Sequence, residues 1–423
     1  MSEKKSAAGT EIFALQKAGC MKEYLQAAQI SENVYYVGSV DWNVRNFHGY
    51  QTGRGTSYNA FLIIDEKITL IDAVKKPFYN ELMARISSVI DPSKIDYIVS
   101  NHAEPDHSGC LADVVKAVKP EKVFASVMGE KALKAYFGED FEVTPLKTGD
   151  TLKLGKNTLH AIETRMLHWP DSMITYLDYD KVMFSQDAFG MHYATANLYA
   201  DQNDVSIMTY EAKKYFANIL MHLSNQVRGA IKTLGELNLD VKILAPDHGP
   251  LFRTPETIEF IQNLYAQMAS GERGKKAIVF YATMWNSTEK IAAALADGIR
   301  AAGAEVKVAS LGVTDRSDIM TDILDAGLVC VGSPTMNNQM YPSVADVLTY
   351  IKGLLRTTNK IGYAFGSFGW SGEAPKKIQA ELTEMKFELP FEPQSNKYVP
   401  TYENLKNYYE QGLALGKMLV GDK

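Results

Sequence analysis

The chain has 423 residues, of which 46% are hydrophobic and 22% are charged, and this length and composition predict a soluble globular protein with two domains. A net charge of −6, without a run of Lys and Arg, argues against a nucleic-acid partner. No stretch approaches the ~18 apolar residues of a membrane span, and no apolar segment of signal-peptide length opens the chain, so a cytoplasmic protein without membrane contact is predicted.

The first 270 residues combine short apolar runs with helical patterns. Runs such as "AFLIID", "IDYIVS" and "KVMFS" read as strands, and segments such as "KPFYNELMARISSVI" read as helices between them. This mixture predicts layered sheets covered by helices. A polar, Gly-containing segment at residues 266–276 then precedes the apolar run "AIVFYA", which predicts a domain boundary. The predicted domains are therefore residues 1–270 and residues 271–423.

The stretch "NHAEPDHSG", residues 101–109, concentrates groups that bind metals or protons. In an extended or looped segment alternating residues share a face, so His102, Glu104 and Asp106 are predicted to converge on one point. His107 faces another direction and is a candidate ligand for a second ion. Two buried carboxylates this close repel each other without a cation, so the cluster favours a metal site over a purely structural turn.

Three further candidate ligands follow strand-like apolar runs: His168 in "MLHWPDS", Asp187 in "KVMFSQDAFG" and His248 in "VKILAPDHGP". Strand ends collect on the rim of a layered sheet, so these side chains are predicted to join the cluster. Asp187 is predicted to bridge two ions, because a carboxylate offers two oxygens. His48 and His192 lie in turn-rich segments and are candidates for fixing a ligand or delivering a proton.

The motif "HAEPDH", together with these downstream residues, resembles the paired-metal pattern of the metallo-β-lactamase superfamily. Hydrolases of that superfamily usually carry H-x-H-x-D-H, whereas Glu104 replaces the second His in this chain. A carboxylate adds negative charge and a harder oxygen ligand, which favours iron over zinc. The resemblance implies one ion held by His102, Glu104 and His168, a second held by Asp106, His248 and His107, and Asp187 between the two.

After residue 276 apolar strands alternate with helices, which predicts a doubly wound parallel sheet. Three of the strands end in loops rich in small, hydroxyl or amide residues, at the edge where such sheets bind ligands. The first of these loops opens a helix, whose N-terminus suits a phosphate. The chain has no Walker loop and no G-x-G-x-x-G motif, so neither ATP nor NAD is indicated.

This second half resembles flavodoxin, and its three loops match the FMN-binding loops residue by residue. A flavodoxin-like fold without a cofactor is the alternative. The resemblance implies that the first loop holds the FMN phosphate and that the other two flank the isoalloxazine ring. The candidate FMN-binding residues are Thr283, Met284, Trp285, Asn286, Ser287, Thr288, Ser333, Pro334, Thr335, Met336, Asn337, Asn338, Ser367, Phe368, Gly369, Trp370, Ser371 and Gly372.

A Glu-substituted metallo-β-lactamase-like αββα sandwich followed by a flavodoxin-like sheet is similar to the flavodiiron proteins, also called A-type flavoproteins. The resemblance covers essentially the whole chain and includes "HGYQTGRGTSYNAFL" and "SQDAFGMH". It implies reduction of dioxygen to water, of nitric oxide to nitrous oxide, or both, at a non-haem diiron site that receives electrons from FMN. Whether His107 is a ligand stays undecided, since this position binds iron in some members of the family and not in others. Tyr193 and Tyr199 are candidates for quenching reactive intermediates.

The same resemblance implies a head-to-tail homodimer or a dimer of such dimers. The chain ends after the flavodoxin-like half, and Cys20, Cys110 and Cys330 form no C-x-x-C pair, so a separate electron donor, rubredoxin, is expected rather than a built-in rubredoxin module. The cysteines are expected to be small buried apolar residues. Direct oxidation of a reduced deazaflavin coenzyme is an alternative within the family. Outside it, the hypotheses are a dinuclear zinc hydrolase with a flavodoxin-like module and a catalytically silent electron-transfer protein.

Overall fold

The computed structural model describes residues 24–355 and 358–421. Contacts divide these residues into two compact units. The first unit comprises the described residues up to Phe47, Thr52–Tyr215 and Asn225–Gln267, and the second comprises His48–Gln51, Phe216–Ser224 and the described residues from Met268 onward. The last transition between the units lies near the boundary that the sequence predicts. The placement of the two short segments in the second unit has no counterpart in the sequence prediction.

The strands are, in chain order, β1 (Ala28–Gln29), β2 (Val34–Tyr36), β3 (Ser39–Asp41), β4 (Asn46–Phe47), β5 (Tyr50–Gln51), β6 (Thr56–Tyr58), β7 (Phe61–Ile63), β8 (Thr69–Ile71), β9 (Tyr97–Ser100), β10 (Lys122–Ser126), β11 (Thr144–Leu146), β12 (Thr151–Lys153), β13 (Thr158–Glu163), β14 (Met173–Leu177), β15 (Val182–Gln186), β16 (Ile243–Pro246), β17 (Lys276–Tyr281), β18 (Glu305–Ser310), β19 (Ala326–Met336), β20 (Gln339–Met340), β21 (Ile361–Phe368) and β22 (Gln394–Lys397).

The α-helices are α1 (Tyr79–Ser87), α2 (Pro105–Ser108), α3 (Leu111–Val118), α4 (Val127–Phe137), α5 (Val205–Tyr215), α6 (Ser224–Leu237), α7 (Pro255–Ala269), α8 (Ser287–Ala301), α9 (Arg316–Asp325), α10 (Pro342–Leu354), α11 (Ala374–Glu384) and α12 (Tyr402–Val420). Short 3₁₀ turns cover Lys76–Phe78, Pro92–Lys94, Ala200–Gln202 and Met221–Leu223, and Phe216–Leu220 forms a π-helical segment. Within residues 24–355 and 358–421, no helix has both the length and the apolar character that crossing a membrane requires.

The first unit contains two sheets that share one core. The larger sheet has the strand order β1-β2-β7-β8-β9-β10-β11, and the smaller has the order β12-β13-β14-β15-β16. Phe61 of the larger sheet and Phe184 of the smaller pack with ring centroids 5.0 Å apart, within a buried cluster to which both sheets contribute. In a second buried cluster, Ile98 of the larger sheet packs with Leu82 of α1 and Val114 of α3. Two sheets packed together with helices against one of them are a layered arrangement.

The second unit is built on a parallel sheet with the strand order β18-β17-β19-β21-β22. The apolar runs of β17, β19 and β21 are buried strands, because helices cover the sheet on both faces, whereas β18 at the edge is largely exposed. Ile319 of α9 and Val347 of α10 lie in one buried cluster, whereas Ile291 of α8 and Leu415 of α12 lie in another. This is the doubly wound sheet that the sequence predicts.

Cys110 and Cys330 are fully buried and free, as expected for small apolar residues. Burial raises the pKa of the Cys110 thiol to about 12 and also raises the pKa of Cys330. Cys20 lies outside the described residues.

Candidate metal centre

The predicted metal ligands lie beyond strand ends of the first unit. His102 and Glu104 follow β9, Asp187 follows β15 and His248 follows β16, whereas His168 lies in the connection between β13 and β14. Strands β15 and β16 are parallel neighbours, so their carboxyl ends bring Asp187 and His248 to the same edge. The apolar strands thus fix the backbone positions from which the polar side chains extend.

A single helical turn changes the course of the chain within residues 101–109. Glu104 has an extended backbone, and Pro105 takes the first position of α2, where its fixed φ and missing N–H are suited to a helix start. Asp106 therefore leaves the face that His102 and Glu104 share. The predicted convergence of these three residues on one point differs from the structure, which places Asp106 in a separate group.

The seven predicted ligands form two groups, each with its ligand atoms within 4.8 Å of one another. In the first group, Oε2 of Glu104 lies 3.3 Å from Nε2 of His102 and 3.1 Å from Nε2 of His168. The second group consists of Asp106, His107 and His248. Oδ2 of Asp106 lies 3.3 Å from Nε2 of His107 and 3.1 Å from Nε2 of His248.

Asp187 completes the first group and also reaches the second. Its Oδ2 lies 2.9 Å from Nε2 of His168 and 3.3 Å from Nε2 of His102. Its Oδ1 lies 3.1 Å from Nε2 of His107 and 3.4 Å from Nε2 of His248. One carboxylate thus presents one oxygen to each group, which is the arrangement of a bridging ligand.

In two of the imidazoles, those of His102 and His248, the other ring nitrogen faces an acceptor. His102 donates from Nδ1 to Oδ2 of Asp171 at 2.9 Å, and His248 donates from Nδ1 to the carbonyl oxygen of Ser57 at 2.6 Å. Because carboxylate and carbonyl oxygens accept, Nδ1 carries the proton and Nε2 keeps its lone pair in the neutral ring. Such partners fix the orientation of metal-binding histidines.

Several atoms directed into the centre make no hydrogen bond with any described residue: Nε2 of His102, His107 and His248, and both carboxylate oxygens of Asp106 and Asp187. Buried polar atoms of this kind are rare in folded proteins and indicate a bound ion or ligand. The donor set of imidazole nitrogens and carboxylate oxygens therefore fits a pair of metal ions, and the added carboxylate of Glu104 suits iron.

The electrostatics of the centre point the same way. Burial alone would lower the pKa of the imidazoles, but the facing carboxylates outweigh it and raise the pKa of His168 to about 9 and of His107 to about 10. Burial would raise the pKa of Asp187, yet His107, His102 and His168 hold it well below its usual range. The carboxylates thus require positive charge, which either protons on the imidazoles or metal cations provide.

The first candidate flavin segment follows β17, whereas the second and third begin within the last residues of β19 and β21 and continue beyond these strands. Helix α8 begins directly after the first loop, and the side chain of its N-cap residue Asn286 makes no capping hydrogen bond, so the helix N-terminus suits a phosphate. Trp285 and Trp370 are 87% and 82% exposed. Indoles left this open beside ligand-binding strand ends fit a flat aromatic cofactor.

Some hydroxyl groups of these loops form hydrogen bonds with other residues of the second unit. Thr288 Oγ1 and Ser367 Oγ lie 2.9 Å apart and join the first loop to the third. Ser333 Oγ accepts a hydrogen bond from the Tyr341 N–H at 2.8 Å, and Thr335 Oγ1 accepts one from the Ala374 N–H at 3.2 Å. These contacts give part of the predicted FMN-binding set a role in shaping the loops.

Comparison with known proteins matches both halves of the chain. Residues 56–249 match the family model described as "ODP family beta lactamase", and residues 279–412 match "Flavodoxin". A rubredoxin-oxygen oxidoreductase of Megalodesulfovibrio gigas is 45% identical over 387 residues, which are 90% of this chain and 96% of that protein. A nitric oxide reductase of Moorella thermoacetica is 44% identical over 391 residues, which are 92% and 97% of the two chains.

The solved structure of the flavodiiron protein from Giardia intestinalis superimposes with a TM-score of 0.90 at 37% identity and covers 94% of this chain and 97% of its own. The chain belongs to the flavodiiron proteins. The fold class predicted from the sequence is therefore confirmed, with a metallo-β-lactamase-like unit followed by a flavodoxin-like one. As a flavodiiron protein it is an oxidoreductase that reduces dioxygen, nitric oxide or both, with FMN and an iron pair as cofactors.

The further residues predicted for this flavodiiron centre differ in their placement. His192 is buried, its Nδ1 lies 2.8 Å from Thr56 Oγ1, and its ring centroid lies 4.5 Å from that of His248. His48 is exposed and belongs to the second unit. Tyr193 is half-buried, and Tyr199 packs its ring 3.7 Å from the guanidinium carbon of Arg253.

Residues that the sequence did not single out also lie beside the flavodiiron ligands, among them Asp171, Asp247, Tyr58 and Tyr215. Asp171 and Asp247 are buried and contact Nδ1 of His102 and His107, respectively. Tyr58 and Tyr215 are buried with ring centroids 6.0 and 6.1 Å from that of His248. In the sequence, Asp171 follows the ligand His168 in "HWPDS" and Asp247 precedes the ligand His248 in "PDHGP". An Asp this close to a ligand histidine was the signal by which both could have been found.

Proposed function

We propose that the seven side chains of the centre hold two iron ions, with one ion in each group and Asp187 between them. The observation that carries this assignment is the position of Asp187, whose two oxygens face different groups at 2.9 and 3.1 Å from the nearest imidazole nitrogens. A bridging carboxylate of this kind holds two ions at the short separation typical of two-metal sites.

The iron pair, when bound, supplies one-electron redox chemistry and coordination positions for a small gas molecule. The imidazoles of His102 and His248 are kept in the tautomer that binds metal, since Asp171 and the Ser57 carbonyl accept hydrogen bonds from their Nδ1–H groups. Glu104 and Asp187 supply negative charge to the first group, which favours the higher oxidation state of a redox metal. Burial of the ligands limits the access of water.

For the flavin, we propose that residues 283–288 bind the phosphate at the start of α8. Residues 333–338 and 367–372 then flank the isoalloxazine, with Trp285 and Trp370 against it. The free N-terminus of α8 and the two exposed indoles support this assignment.

We further propose a separate electron donor of the rubredoxin type, because a relative of 45% identity is named for rubredoxin. The three cysteines of this chain are too few for the four thiolates of a rubredoxin site. A reduced deazaflavin coenzyme is the alternative donor. A cytoplasmic location and a head-to-tail homodimer, or a dimer of such dimers, complete the proposal.

Metal and flavin analysis of anaerobically purified protein tests the assignment. Two irons and one FMN per chain are expected, together with consumption of dioxygen or nitric oxide by the reduced protein. Measuring both gases with one common reductant, and then with reduced rubredoxin and reduced deazaflavin, separates substrate preference from donor preference. Zinc in the centre together with hydrolytic turnover would contradict the proposal, and so would a reduced protein that consumes neither gas.

A further inference from the structure

Asp247 lies directly against His107 in the second group. Its Oδ2 is 3.3 Å from Nδ1 of His107, while Nε2 of the same ring is 3.3 Å from Asp106 and 3.1 Å from Asp187. The imidazole is thus held between one carboxylate behind it and two in front. All four side chains are almost completely buried.

The carboxylate of Asp247 has few ways to offset its charge. Neither of its oxygens accepts a hydrogen bond from any residue that the structure describes. The carboxylate of Asp72, which accepts hydrogen bonds from the N–H groups of Asn101 and His102, adds repulsion. A buried carboxylate without hydrogen-bond donors is costly unless a neighbouring group carries a proton or a positive charge toward it. The imidazole of His107 is the group in contact that does so.

Asp171 provides a comparison in the first group. Its Oδ2 accepts hydrogen bonds from Nδ1 of His102 at 2.9 Å and from the Ala103 N–H at 2.6 Å. Asp171 is therefore anchored to the backbone as well as to the imidazole, whereas the carboxylate of Asp247 has the His107 ring as its contact.

We propose that Asp247 is the positioning residue that makes His107 an iron ligand. With Oδ2 of Asp247 3.3 Å from Nδ1 of His107, the negative charge favours the neutral ring tautomer with its proton on Nδ1, so Nε2 presents a lone pair to the ion of the second group. This inference rests on the proposed function and decides a point that the sequence leaves open, namely whether His107 binds iron in this chain.

The experiment measures how much iron the full-length, iron-loaded protein and its variants retain at increasing chelator concentrations. The variants are Asp247→Asn, His107→Asn and the double variant, with Asp171→Asn as the matched control alone and combined with His107→Asn. Asp247→Asn is expected to release one of the two irons per chain at a 10- to 100-fold lower chelator concentration. The neutral amide lacks the negative charge that favours the proton on Nδ1, so the tautomer that binds metal through Nε2 is less strongly preferred.

The double variants distinguish positioning from a general structural role. If Asp247 acts through His107, Asp247→Asn adds nothing to His107→Asn, whereas Asp171→Asn weakens iron retention further because it acts on the other group. If Asp247→Asn alone does not fold but the Asp247→Asn/His107→Asn double variant folds and matches His107→Asn, the inference is also supported, because the double variant replaces both members of the contact.

Four results would overturn the inference: a change below tenfold in Asp247→Asn, unchanged iron retention in His107→Asn, a double variant weaker than His107→Asn, or a double variant that does not fold. In each case the unmodified protein still binds two irons. A wild-type protein that binds no iron pair would instead overturn the proposed function, so the two failures are distinguishable.

Discussion

Oδ2 of Asp187 lies 2.9 Å from Nε2 of His168, which is the shortest contact between Nε2 of an imidazole and a carboxylate in the two groups. The other oxygen of Asp187 faces His107 and His248 of the second group. The two groups therefore share one residue, and a change at this residue affects both.

Asp187→Asn is expected to weaken the retention of both irons, since an amide offers one neutral oxygen instead of two charged ones. The loss is expected to reach ~100-fold or more, because removal of an outer-sphere partner already costs 10- to 100-fold. The iron content per chain after dialysis measures this loss of retention. Asp178→Asn is the control, because Asp178 contacts the half-exposed His160 at 3.4 Å in a similar pair away from the centre. Retention of two irons by Asp187→Asn would refute the bridging assignment.

Glu104→His restores the H-x-H-x-D-H pattern at the position where this chain departs from it. A nitrogen ligand in place of the carboxylate removes a negative charge, so the ratio of zinc to iron is expected to rise and gas consumption to fall. Metal analysis after growth with equal supplies of the two metals measures the ratio. Glu104→Gln separates loss of charge from gain of nitrogen, and an unchanged ratio in Glu104→His would show that this residue does not select the metal.

The stability of the iron-free protein is expected to fall as the pH rises from 6.5 to 10. The folded-state pKa values of His168 and His107, about 9 and about 10, lie above the unfolded value of 6.5. A histidine whose pKa is raised in the folded state adds to the free energy of unfolding below pH 6.5. This contribution is lost as the pH rises past the folded-state pKa. Iron binding requires deprotonated imidazoles and strengthens over the same range. The difference in thermal midpoint between iron-loaded and iron-free protein should therefore widen with pH, and a constant or narrowing difference would contradict this.

Thr288→Val is expected to weaken FMN binding roughly 2- to 10-fold, which corresponds to one hydrogen bond. The hydroxyl of Thr288 lies 2.9 Å from that of Ser367 and joins two flavin loops, and valine keeps the shape without the bond. Fluorescence titration of the flavin measures the affinity. Thr383→Val is the control, since the Thr383 hydroxyl bonds to the Gln379 carbonyl on the exposed part of α11. Equal effects in the two variants would refute a role of this bond in flavin binding.

Several of the candidate ligands stand out in the sequence because they follow an apolar strand, and strand ends meet at the rim of a sheet. Glu104 and Asp106 were harder to place, because Pro105 starts a helix between them and the two-residue alternation of a strand no longer holds. Asp171 and Asp247 could not be assigned, since the partner of an imidazole depends on residues distant in sequence. His48 and His192 both stand in turn-rich segments, but His192 is buried against His248 whereas the side chain of His48 is exposed.

Cys110 and Cys330 offer a last consequence. Oxidation of cysteine proceeds through the thiolate, and both thiols are fully buried with raised pKa values. Peroxide or nitrosating species that escape during turnover would thus meet sulfur that is shielded and protonated. Burial and the raised pKa thus make both thiols poor targets for oxidants from solution.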